Sequence, residues 1–510
     1  MTFRLPSYDE NDGISEEIQF QAYVQPHVSK FYKRNDSGNH EIKMKTKTAK
    51  KPQFHGMAGK FINLSKKRLQ LNWFGGGQMI YIADSAPFQA VGTSTFPGHL
   101  FTFSTKAKSP SSKTNNGHGH QGQNAASSSE SEIVHKMNVV SGTSVYYYDP
   151  YYNSTTHKID LESLHNDLNK DELEQYWLQR RNLDFGKIYY NFTGREWLSL
   201  YPKRKPPYHI MWNADYFGQE HWVVSEEAHF VREPPENLLG MLSYDEMMDE
   251  SVLYQKRHLK DYRQSEGLHS KSQGHGHTHD KLFLNMTLKV LSCAPRVFEI
   301  KNFLSHVEVD HIVHMATGMK LSLSTTSGSD GYDRRSDTKT RTSKNSWVGR
   351  SRSPIIDSIY RRAADLMLID EALLRHRDKS EQPDNGDDVR YSRGNSAEDL
   401  QLVHYAKTEK YTAHHDFAYP SAFKEHQPTR FATLLLYLNE GMKGGETSFP
   451  RWVNAETSAK LSVVPEVGKA VLFYSFLPDG NMDDLSQHAA EPVIDGEKWL
   501  INLWTWDPTR

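Results

Sequence analysis

The chain has 510 residues, a formal net charge of −2 and 37% hydrophobic residues, which predicts about two to four domains with buried cores. The balanced charge provides no basic field, so no nucleic-acid partner is expected. No apolar run approaches the roughly 20 residues of a transmembrane helix, and the N-terminus lacks the apolar core of a signal peptide.

The first predicted units are a polar arm and a β-rich domain. Residues 1–50 are polar and mixed, which predicts a loosely held arm. Residues 51–150 are predicted to form a β-sandwich, because turn signals separate the short β-branched or aromatic runs "KFINL", "RLQLNWF", "MIYIAD", "HLFTFST" and "SVYYYD". Within this domain, the Ser- and Gly-rich segment at about 106–132 is too polar to form a core, which predicts a disordered surface loop.

The middle of the chain, residues 151–265, is predicted to be mixed and helical. The stretch "DLESLHNDLNKDELEQYWLQRR" predicts one amphipathic helix, and "LSYDEMMDESVLYQKRHLKDY" is a second candidate. Residues 266–281 contain the His- and Gly-rich run "GHGHTHD", which is typical of a flexible linker.

Residues 282–510 predict a further domain, which opens with the strand "LKVLS". Ser305 and Glu308 have capping-box spacing before an apolar stripe, and Ser353 with Pro354 marks the start of a second helix. After a polar insertion at about 377–397, strands dominate: "LQLVHY", "ATLLLYL", "KAVLFYSF" and "WLINLWTW". Helices followed by strands, without βαβ alternation, favour an α+β fold with an antiparallel barrel or sandwich.

The segment "YTAHHDF" sets two histidines beside an aspartate. On a strand, residues i and i+2 share a face, so His414 and Asp416 point the same way and His415 points the opposite way. With His488, the pair His414 and Asp416 would complete a 2-His-1-carboxylate triad, which leaves positions on Fe(II) open for oxygen chemistry. A His-x-Asp triplet is weak by itself in a chain with 26 histidines. Lys498 strengthens the prediction of a metal site, since burying a lysine inside a barrel costs free energy unless the lysine meets an anion.

Three segments together resemble the catalytic domain of prolyl 4-hydroxylases: "LQLVHYAKTEKYTAHHDF", "TRFATLLLYLNEGMKGGETSFP" and "QHAAEPVIDGEKWLINLWTWD". The resemblance runs from about residue 294 to residue 510. It implies a double-stranded β-helix (jelly-roll) with supporting helices. It also implies an iron- and 2-oxoglutarate-dependent dioxygenase (oxidoreductase).

The resemblance assigns roles residue by residue. The implied iron ligands are His414, Asp416 and His488, and the implied cosubstrate-binding residues are Lys498, Tyr405, Thr447 and Trp504. Arg430 resembles an arginine implicated in substrate contact during catalysis, and "RTSKNSW" at Arg341–Trp347 resembles part of a mobile loop over the peptide. Thr408 stands where the family usually has glycine. The alternatives are core aromatics at Tyr405 and Trp504, a surface charge at Arg430 and a turn residue at Thr447.

The implied reaction hydroxylates peptidyl proline and converts 2-oxoglutarate and O2 into succinate and CO2, with L-ascorbate reducing over-oxidised iron back to Fe(II). The same chemistry on another amino acid or a small molecule is an alternative. A catalytically silent adaptor is another, which the intact triad and Lys498 disfavour. The family resemblance implies the endoplasmic reticulum, whereas the single cysteine, Cys293, and the missing leader leave a cytoplasmic location open.

The stretch at about 61–148 resembles the β domain of von Hippel–Lindau-type proteins, through "GHLFTF" and the order of the strands. In that family this surface binds hydroxyproline, and Tyr81, Thr95 and His99 fall at or beside the pocket positions. The pocket tryptophan is not matched, since Gln70 falls near its position. The resemblance implies a reader of the hydroxylated product, and the alternative is a structural sandwich without a ligand.

Overall fold

The structure is a computed structural model that describes residues 2–5, 16–23, 31–34, 40–43, 52–105, 132–199, 209–226, 229–231, 283–327, 334–335, 340–375, 396–417, 429–453 and 459–506. Four predicted segments lie outside the described residues, except for residues 132, 396 and 397. They are the loop at about 106–132, the second helix candidate at 242–262, the linker at 266–281 and the insertion at about 377–397.

The N-terminal segment contains paired strands and a buried anchor. Two antiparallel hairpins are formed by β1 (Thr2–Leu5) with β2 (Glu16–Gln19) and by β3 (Phe31–Arg34) with β4 (His40–Lys43). Phe20 is 7% exposed and packs edge-on against Phe185 and Trp197. The prediction of a loosely held arm is therefore wrong at Phe20, because an aromatic cluster of the middle region buries it.

Residues 57–148 form two small sheets that share one core. The strands are β5 (Met57–Asn63), β6 (Leu69–Gly75), β7 (Gln78–Ser85), β8 (Gln89–Thr95), β9 (Leu100–Ser104), β10 (Ile133–Asn138) and β11 (Val145–Tyr148). One sheet has the order β10-β9-β6-β7 and the other β11-β5-β8. Phe61, Leu71 and Phe103, all fully buried, belong to the core that joins them. We refer to this unit as the β domain.

The middle region has two helices where one was predicted. After the short hairpin of β12 (Tyr152–Asn153) and β13 (Lys158–Ile159), α1 spans Leu161–Asp167 and α2 spans Lys170–Thr193. The helix is interrupted at Asn169. The Asn169 side chain accepts a hydrogen bond from the Glu172 N–H, and the Glu172 carboxylate accepts one from the Asn169 N–H. This reciprocal capping box starts a new helix inside the predicted one.

The C-terminal part contains the strands β14 (Glu220–Glu226), β15 (Phe283–Cys293), β16 (Arg296–Ile300), β17 (Ser322–Leu323), β18 (Thr326–Ser327), β19 (Arg334–Arg335), β20 (Lys344–Val348), β21 (Leu400–Tyr405), β22 (Tyr411–His414), β23 (Arg430–Tyr437), β24 (Lys443–Gly444), β25 (Thr447–Phe449), β26 (Leu461–Val463), β27 (Ala470–Tyr474), β28 (His488–Ala490), β29 (Val493–Asp495) and β30 (Lys498–Trp506).

Most of these strands form a nine-stranded sheet with the order β14-β15-β16-β27-β23-β30-β21-β20-β17. A four-stranded sheet, β22-β28-β25-β26, faces it, and β24 pairs with β29.

Two helices cover the outer face of the nine-stranded sheet. The helix α3 (His306–Thr317) begins with the predicted capping box, and α4 (Pro354–Met367) begins with Ser353 accepting from the Ile356 N–H. Their apolar faces share a core with the sheet, including Ile312, Ile359 and Leu434. The predicted helix starts and the predicted α+β class are confirmed. Among the described residues no helix has the length and hydropathy needed to span a membrane.

The predicted domain boundary near residue 282 does not coincide with an edge of the sheet. Strand β14 pairs with β15 along its whole length, from Glu220↔Lys289 to Glu226↔Phe283. Val223 lies in the same core as the helices α3 and α4. Residues of the middle region therefore belong to the C-terminal core, because the first strand of the sheet comes from an earlier part of the chain.

Replacement of Thr408 with glycine is expected to stabilise the fold. Thr408 has φ +72° in the turn 406–409, which joins β21 to β22 and is closed by the Glu409 N–H donating to Ala406 O at 3.0 Å. A non-glycine residue in this left-handed region costs about 1–2 kcal/mol, partly offset by the greater freedom of glycine in the unfolded chain. Urea unfolding should show a gain of about 1 kcal/mol.

The control for this substitution is Asn302→Gly, at φ +53°. Asparagine tolerates the left-handed region, so a smaller gain is expected there. A loss of stability in Thr408→Gly would show that the threonine side chain makes a compensating contact.

Candidate metal centre

Two neighbouring strands place the predicted metal ligands together. His414 ends β22, His488 begins β28, and the two are partners in the antiparallel register. The Nε2 atom of His488 lies 3.6 Å from Asp416 Oδ2, and the Nε2 atom of His414 lies 3.9 Å from Asp416 Oδ1. The three ligand atoms lie within 4.8 Å of one another. One ion can therefore contact all three.

Backbone carbonyls orient both imidazoles in the same way. The Nδ1 atom of His414 lies 2.8 Å from Thr412 O, and the Nδ1 atom of His488 lies 3.1 Å from Ser486 O. An Nδ1–H that donates to a carbonyl leaves Nε2 as a lone-pair donor, the tautomer that a metal requires. Burial lowers the pKa of both histidines, and their mutual repulsion lowers that of His414 further. Both rings are therefore neutral at physiological pH.

Asp416 is held as a carboxylate by donors from the nine-stranded sheet. Thr433 Oγ1 donates to Asp416 Oδ2 at 2.6 Å, and Trp504 Nε1 donates to the same oxygen at 3.1 Å. Burial opposes ionisation, but the histidines in their protonated forms at low pH, the charge of Arg430 and the hydrogen bond from Thr433 outweigh it and hold the pKa of Asp416 well below its usual range. Trp504, predicted as a cosubstrate-binding residue, thus contacts the predicted metal ligand Asp416 directly.

Arg430 lies behind Asp416 in a tight ion pair. Its guanidinium donates to both carboxylate oxygens of Glu398, at 2.6 and 2.9 Å, and lies 3.6 Å from the ring centroid of Trp504. Its Nη1 atom is 3.9 Å from Asp416 Oδ1. The alternative of a free surface charge is therefore wrong. In this structure Arg430 contacts the metal-ligand network, and Glu398, its bidentate partner, carried no signal in the sequence.

The other end of the site contains a fully buried cation. Lys498 is 0% exposed and begins β30 opposite Tyr405 in the register. Its Nζ atom lies 3.5 Å from Thr447 Oγ1 and 5.5 Å from the Tyr405 ring centroid. Tyr437, which the sequence did not single out, donates its hydroxyl to Thr447 at 2.8 Å. In the described part of the chain this ammonium has one hydrogen-bond acceptor, Thr447 Oγ1, so its remaining N–H donors fit the carboxylate of an anionic cosubstrate.

A cleft between the two sheets contains both the triad and the residues around Lys498. Its lining includes all three ligands, Tyr405, Thr447 and Trp504, together with Arg341, Gln401, Tyr411, Leu435, Ala489, Ala490, Leu500 and Asn502. Two neutral imidazoles and one carboxylate fit Fe(II) with open coordination positions. The donor set and the buried cation therefore fit both groups that the sequence predicted.

Comparison with known proteins identifies the family. Residues 400–506 match the family model of the 2OG-Fe(II) oxygenase superfamily. The structure of a viral collagen prolyl hydroxylase from Paramecium Bursaria Chlorella virus-1 is similar at 21% identity, covering 41% of this chain and 95% of that chain with a TM-score of 0.29. Two Arabidopsis thaliana proteins, probable prolyl 4-hydroxylases 3 and 8, are 32% and 30% identical, covering 42% of this chain and 71% and 70% of theirs. The chain belongs to the prolyl 4-hydroxylase family.

In this member of the prolyl 4-hydroxylase family, the predicted mobile loop "RTSKNSW" contributes Arg341 to the lining of the cleft. Lys344–Val348 is strand β20 of the nine-stranded sheet. Arg341 bridges to Tyr411, donates to Gln401 at 3.2 Å and lies 4.6 Å from the Tyr411 ring centroid. Tyr411 in turn stacks on His414 with ring centroids 3.5 Å apart. The loop prediction is wrong for Lys344–Trp347, because backbone pairing with β21 holds these four residues in the sheet.

The β domain brings together part of its predicted pocket. Thr95 Oγ1 lies 3.1 Å from His99 Nδ1, whereas the Tyr81 hydroxyl donates to Asp84 at 3.2 Å. Trp73 lies beside His99 with ring centroids 4.9 Å apart, so an aromatic residue not identified from the sequence borders the pair. Its Nε1 is buried without a hydrogen-bond partner among the described residues.

The affinity of this prolyl 4-hydroxylase family member for 2-oxoglutarate is expected to fall as the pH rises from 7 to 9. Burial lowers the pKa of Lys498 from 10.5 to about 7, and the charges of Glu446 and Glu491 oppose this shift only in part. The cosubstrate carboxylate needs the protonated amine, so the affinity should decrease by up to about tenfold per pH unit above 7. Isothermal titration of the metal-loaded protein across this range measures the effect.

Proton uptake provides the check on this pH dependence. Binding at pH 8 should draw a proton onto Lys498, so the heat of binding should vary with the ionisation enthalpy of the buffer. Binding that neither weakens with pH nor takes up a proton would contradict the assignment.

Proposed function

We propose that the chain hydroxylates proline residues in peptides or proteins, with Fe(II), 2-oxoglutarate and O2 as reactants and succinate and CO2 as co-products. One observation carries this proposal: two imidazole Nε2 atoms and a carboxylate oxygen lie within 4.8 Å of one another in a cleft that is also lined by Tyr405 and Thr447, the neighbours of the buried Lys498. L-Ascorbate is proposed as the reductant that keeps the iron in its Fe(II) state.

The protein residues bind, orient and shield the reactants. Fe(II) and 2-oxoglutarate, when bound, supply with O2 the oxidising power for C–H hydroxylation. His414, Asp416 and His488 would hold the metal through atoms that hydrogen bonds to the backbone and sheet already orient. Lys498, with the Thr447 hydroxyl beside it, would bind the distal carboxylate of 2-oxoglutarate, and burial of this end excludes water.

Proline as the substrate is supported by family membership, since the relatives that decide the family are described as probable prolyl 4-hydroxylases. An aromatic and a cationic side chain, Tyr411 and Arg341, line the cleft beside the triad. Tyr411 stacks directly on the ligand His414, so a side chain that enters beside it reaches the metal position.

Succinate release from 2-oxoglutarate tests the proposal. The anaerobically iron-loaded protein is assayed with and without proline-rich peptides, beside His414→Ala and the control His404→Ala, a histidine that pairs with Glu497 on the surface. Peptide-stimulated turnover that His414→Ala abolishes and His404→Ala retains is expected. Turnover that no peptide stimulates would move the search to other substrates, and no turnover with metal and cosubstrate bound would favour the adaptor alternative.

A second proposal concerns the β domain as a reader of hydroxyproline. It is supported by the buried Trp73 Nε1, which has no hydrogen-bond partner within the described part of the chain and lies next to the bonded pair Thr95 and His99. A buried indole N–H without an acceptor costs free energy, which a ligand hydroxyl or carbonyl would recover. Metal-free full-length protein and His99→Ala are titrated with matched proline and hydroxyproline peptides. Equal binding of the two peptides by the wild-type chain would rule out the reader.

A further inference from the structure

The turn that precedes the predicted ligand His488 contacts the N-terminal β domain through Asp484. This residue lies four positions before His488, in the 3₁₀ turn Asp484–Ser486. Its Oδ1 atom accepts the backbone N–H of Ala58 at 2.7 Å, and its Oδ2 atom lies 2.6 Å from Arg451 Nη2. The Asp484 side chain is 17% exposed and thus largely shielded from water.

The second ligand-bearing segment meets the same aspartate. His415, between the ligands His414 and Asp416, has its Nε2 atom 3.1 Å from Asp484 O and 3.4 Å from Asp484 Oδ1. With Nε2–H donating to the carbonyl, its Nδ1 atom accepts from the hydroxyl of Ser94, 3.4 Å away. The outward direction that strand alternation predicts for His415 therefore leads to a contact between domains.

The β domain presents these contacts from one pair of strands. Ala58 on β5 and Ser94 on β8 are direct partners in the antiparallel register. Arg451, shortly after β25, also donates to the carbonyl of Gly56, the residue before β5. The start of β5 thus contacts both an arginine and an aspartate of the catalytic core.

The segment that leads to Asp484 and His488 is held in the same way by the middle region. Asp479 accepts from the Tyr189 hydroxyl at 2.9 Å, and Asn481 Oδ1 accepts from the Leu198 N–H at 2.8 Å. Tyr189 and Leu198 of the middle region therefore contact Asp479 and Asn481 in the segment that leads to His488.

We infer that Asp484 is a positioning residue of the metal centre and that the β domain, through Ala58, forms part of the support for the iron ligands. Asp484 lies in the turn that leads to His488, and it contacts His415, which lies between His414 and Asp416. It therefore joins the two segments that contain the predicted ligands. A metal binds tightly when its ligands are already oriented, and supporting contacts of this kind typically contribute about 10- to 100-fold in metal affinity. The inference rests on the proposed function, since it assumes that the triad binds a metal.

Co(II) titration of the full-length protein, followed by visible d–d absorption, tests this inference. Asp484→Ala removes all the side-chain contacts, and Asp484→Asn keeps an acceptor for Ala58 but loses the charge facing Arg451. We expect Co(II) to bind about 10- to 100-fold more weakly to Asp484→Ala, with a changed spectrum, and a smaller loss in Asp484→Asn. The matched control is Asp495→Asn. Asp495 pairs with Lys407 on the surface at 3.1 Å, so this substitution should leave Co(II) binding unchanged.

The outcomes separate the inference from the proposed function. Wild-type affinity and spectrum in both Asp484 variants would overturn the inference and leave the function standing, whereas wild-type protein that binds no Co(II) would overturn both. A merely stabilising role would lower the melting temperature without changing the Co(II) affinity of the folded protein. If Asp484→Ala fails to fold, Arg451→Met removes the pair from the other side, and unchanged Co(II) binding there overturns the inference.

Discussion

Replacement of Lys498 with methionine is expected to remove 2-oxoglutarate binding while raising the free energy of unfolding. Loss of one partner from a buried charge pair costs about 2–5 kcal/mol, or roughly 30- to several-thousandfold in Kd. In the unliganded protein the same ammonium is fully buried beside a hydroxyl at 3.5 Å. An apolar side chain of similar volume there should stabilise the fold by about 1–4 kcal/mol.

The stability gain should depend on pH in a defined direction. Burial holds the folded-state pKa of Lys498 at about 7, below its ordinary 10.5. Between these values the unfolded chain binds a proton that the folded chain does not, so wild-type stability falls as the pH falls from 10.5 to about 7. Lys498→Met lacks this loss, so its advantage should be largest at pH 7 and vanish toward pH 10.5. Urea unfolding at several pH values and calorimetric titration of 2-oxoglutarate measure the two effects.

Lys469→Met is the matched control for this substitution. Lys469 is also buried, but its Nζ atom lies 3.3 Å from Glu466 and 3.6 Å from Glu299. Removing it leaves these carboxylates without their partner, so stability should fall and 2-oxoglutarate binding should remain. Wild-type cosubstrate affinity in Lys498→Met would refute the role assigned to Lys498.

Replacement of Glu308 with glutamine is expected to lower the free energy of unfolding by about 3–5 kcal/mol. Glu308 and Arg362 are both 0% exposed, and the guanidinium donates to both carboxylate oxygens at 2.9 and 2.8 Å. The carboxylate also accepts the N–H groups of Ser305 and Val231. Glutamine would place an amide group against the buried guanidinium and leave its charge uncompensated. Urea unfolding with an unchanged m-value measures the effect.

Glu172→Gln isolates the contribution of the capping box itself. Glu172 has the same helix position in α2 as Glu308 in α3, with its carboxylate accepting the Asn169 N–H at 2.9 Å, but on an exposed surface. Glutamine can replace glutamate in this motif, so a loss below about 1 kcal/mol is expected. Similar losses at both positions would show that the buried ion pair with Arg362 contributes little.

Several features of the site were predictable because they depend on neighbouring residues. Strand alternation correctly separated His414 and Asp416, whose ligand atoms lie within 4.8 Å of each other and of His488, from His415, which contacts Asp484 and Ser94. The cost of a buried lysine pointed to Lys498, which is 0% exposed. The glycine missing at Thr408 corresponds to a backbone with φ +72°.

The wrong helix prediction was avoidable, whereas the errors at Phe20 and at the domain boundary near residue 282 were not. Asn169 and Glu172 have capping-box spacing, so the break between α1 and α2 was visible in the residues themselves. Burial of Phe20 against Phe185 depends on a partner 165 positions away. The pairing of β14 with β15 likewise crosses residues 227–282, and no local pattern in either strand names its partner.

The sequence by itself determined the features that act over a few residues: the caps of α3 and α4, the alternating directions of His414, His415 and Asp416 at the end of β22, and the chemical character of the triad. The tertiary structure alone decided which distant groups complete them. Glu308 is a local capping residue, yet its Arg362 partner comes from the next long helix, and Asp484 meets Ala58 only when the β domain packs on the core. The physical reason is that dihedral preferences and caps are set by neighbouring residues, whereas buried ion pairs and sheet partners exist only after chain closure brings distant segments together.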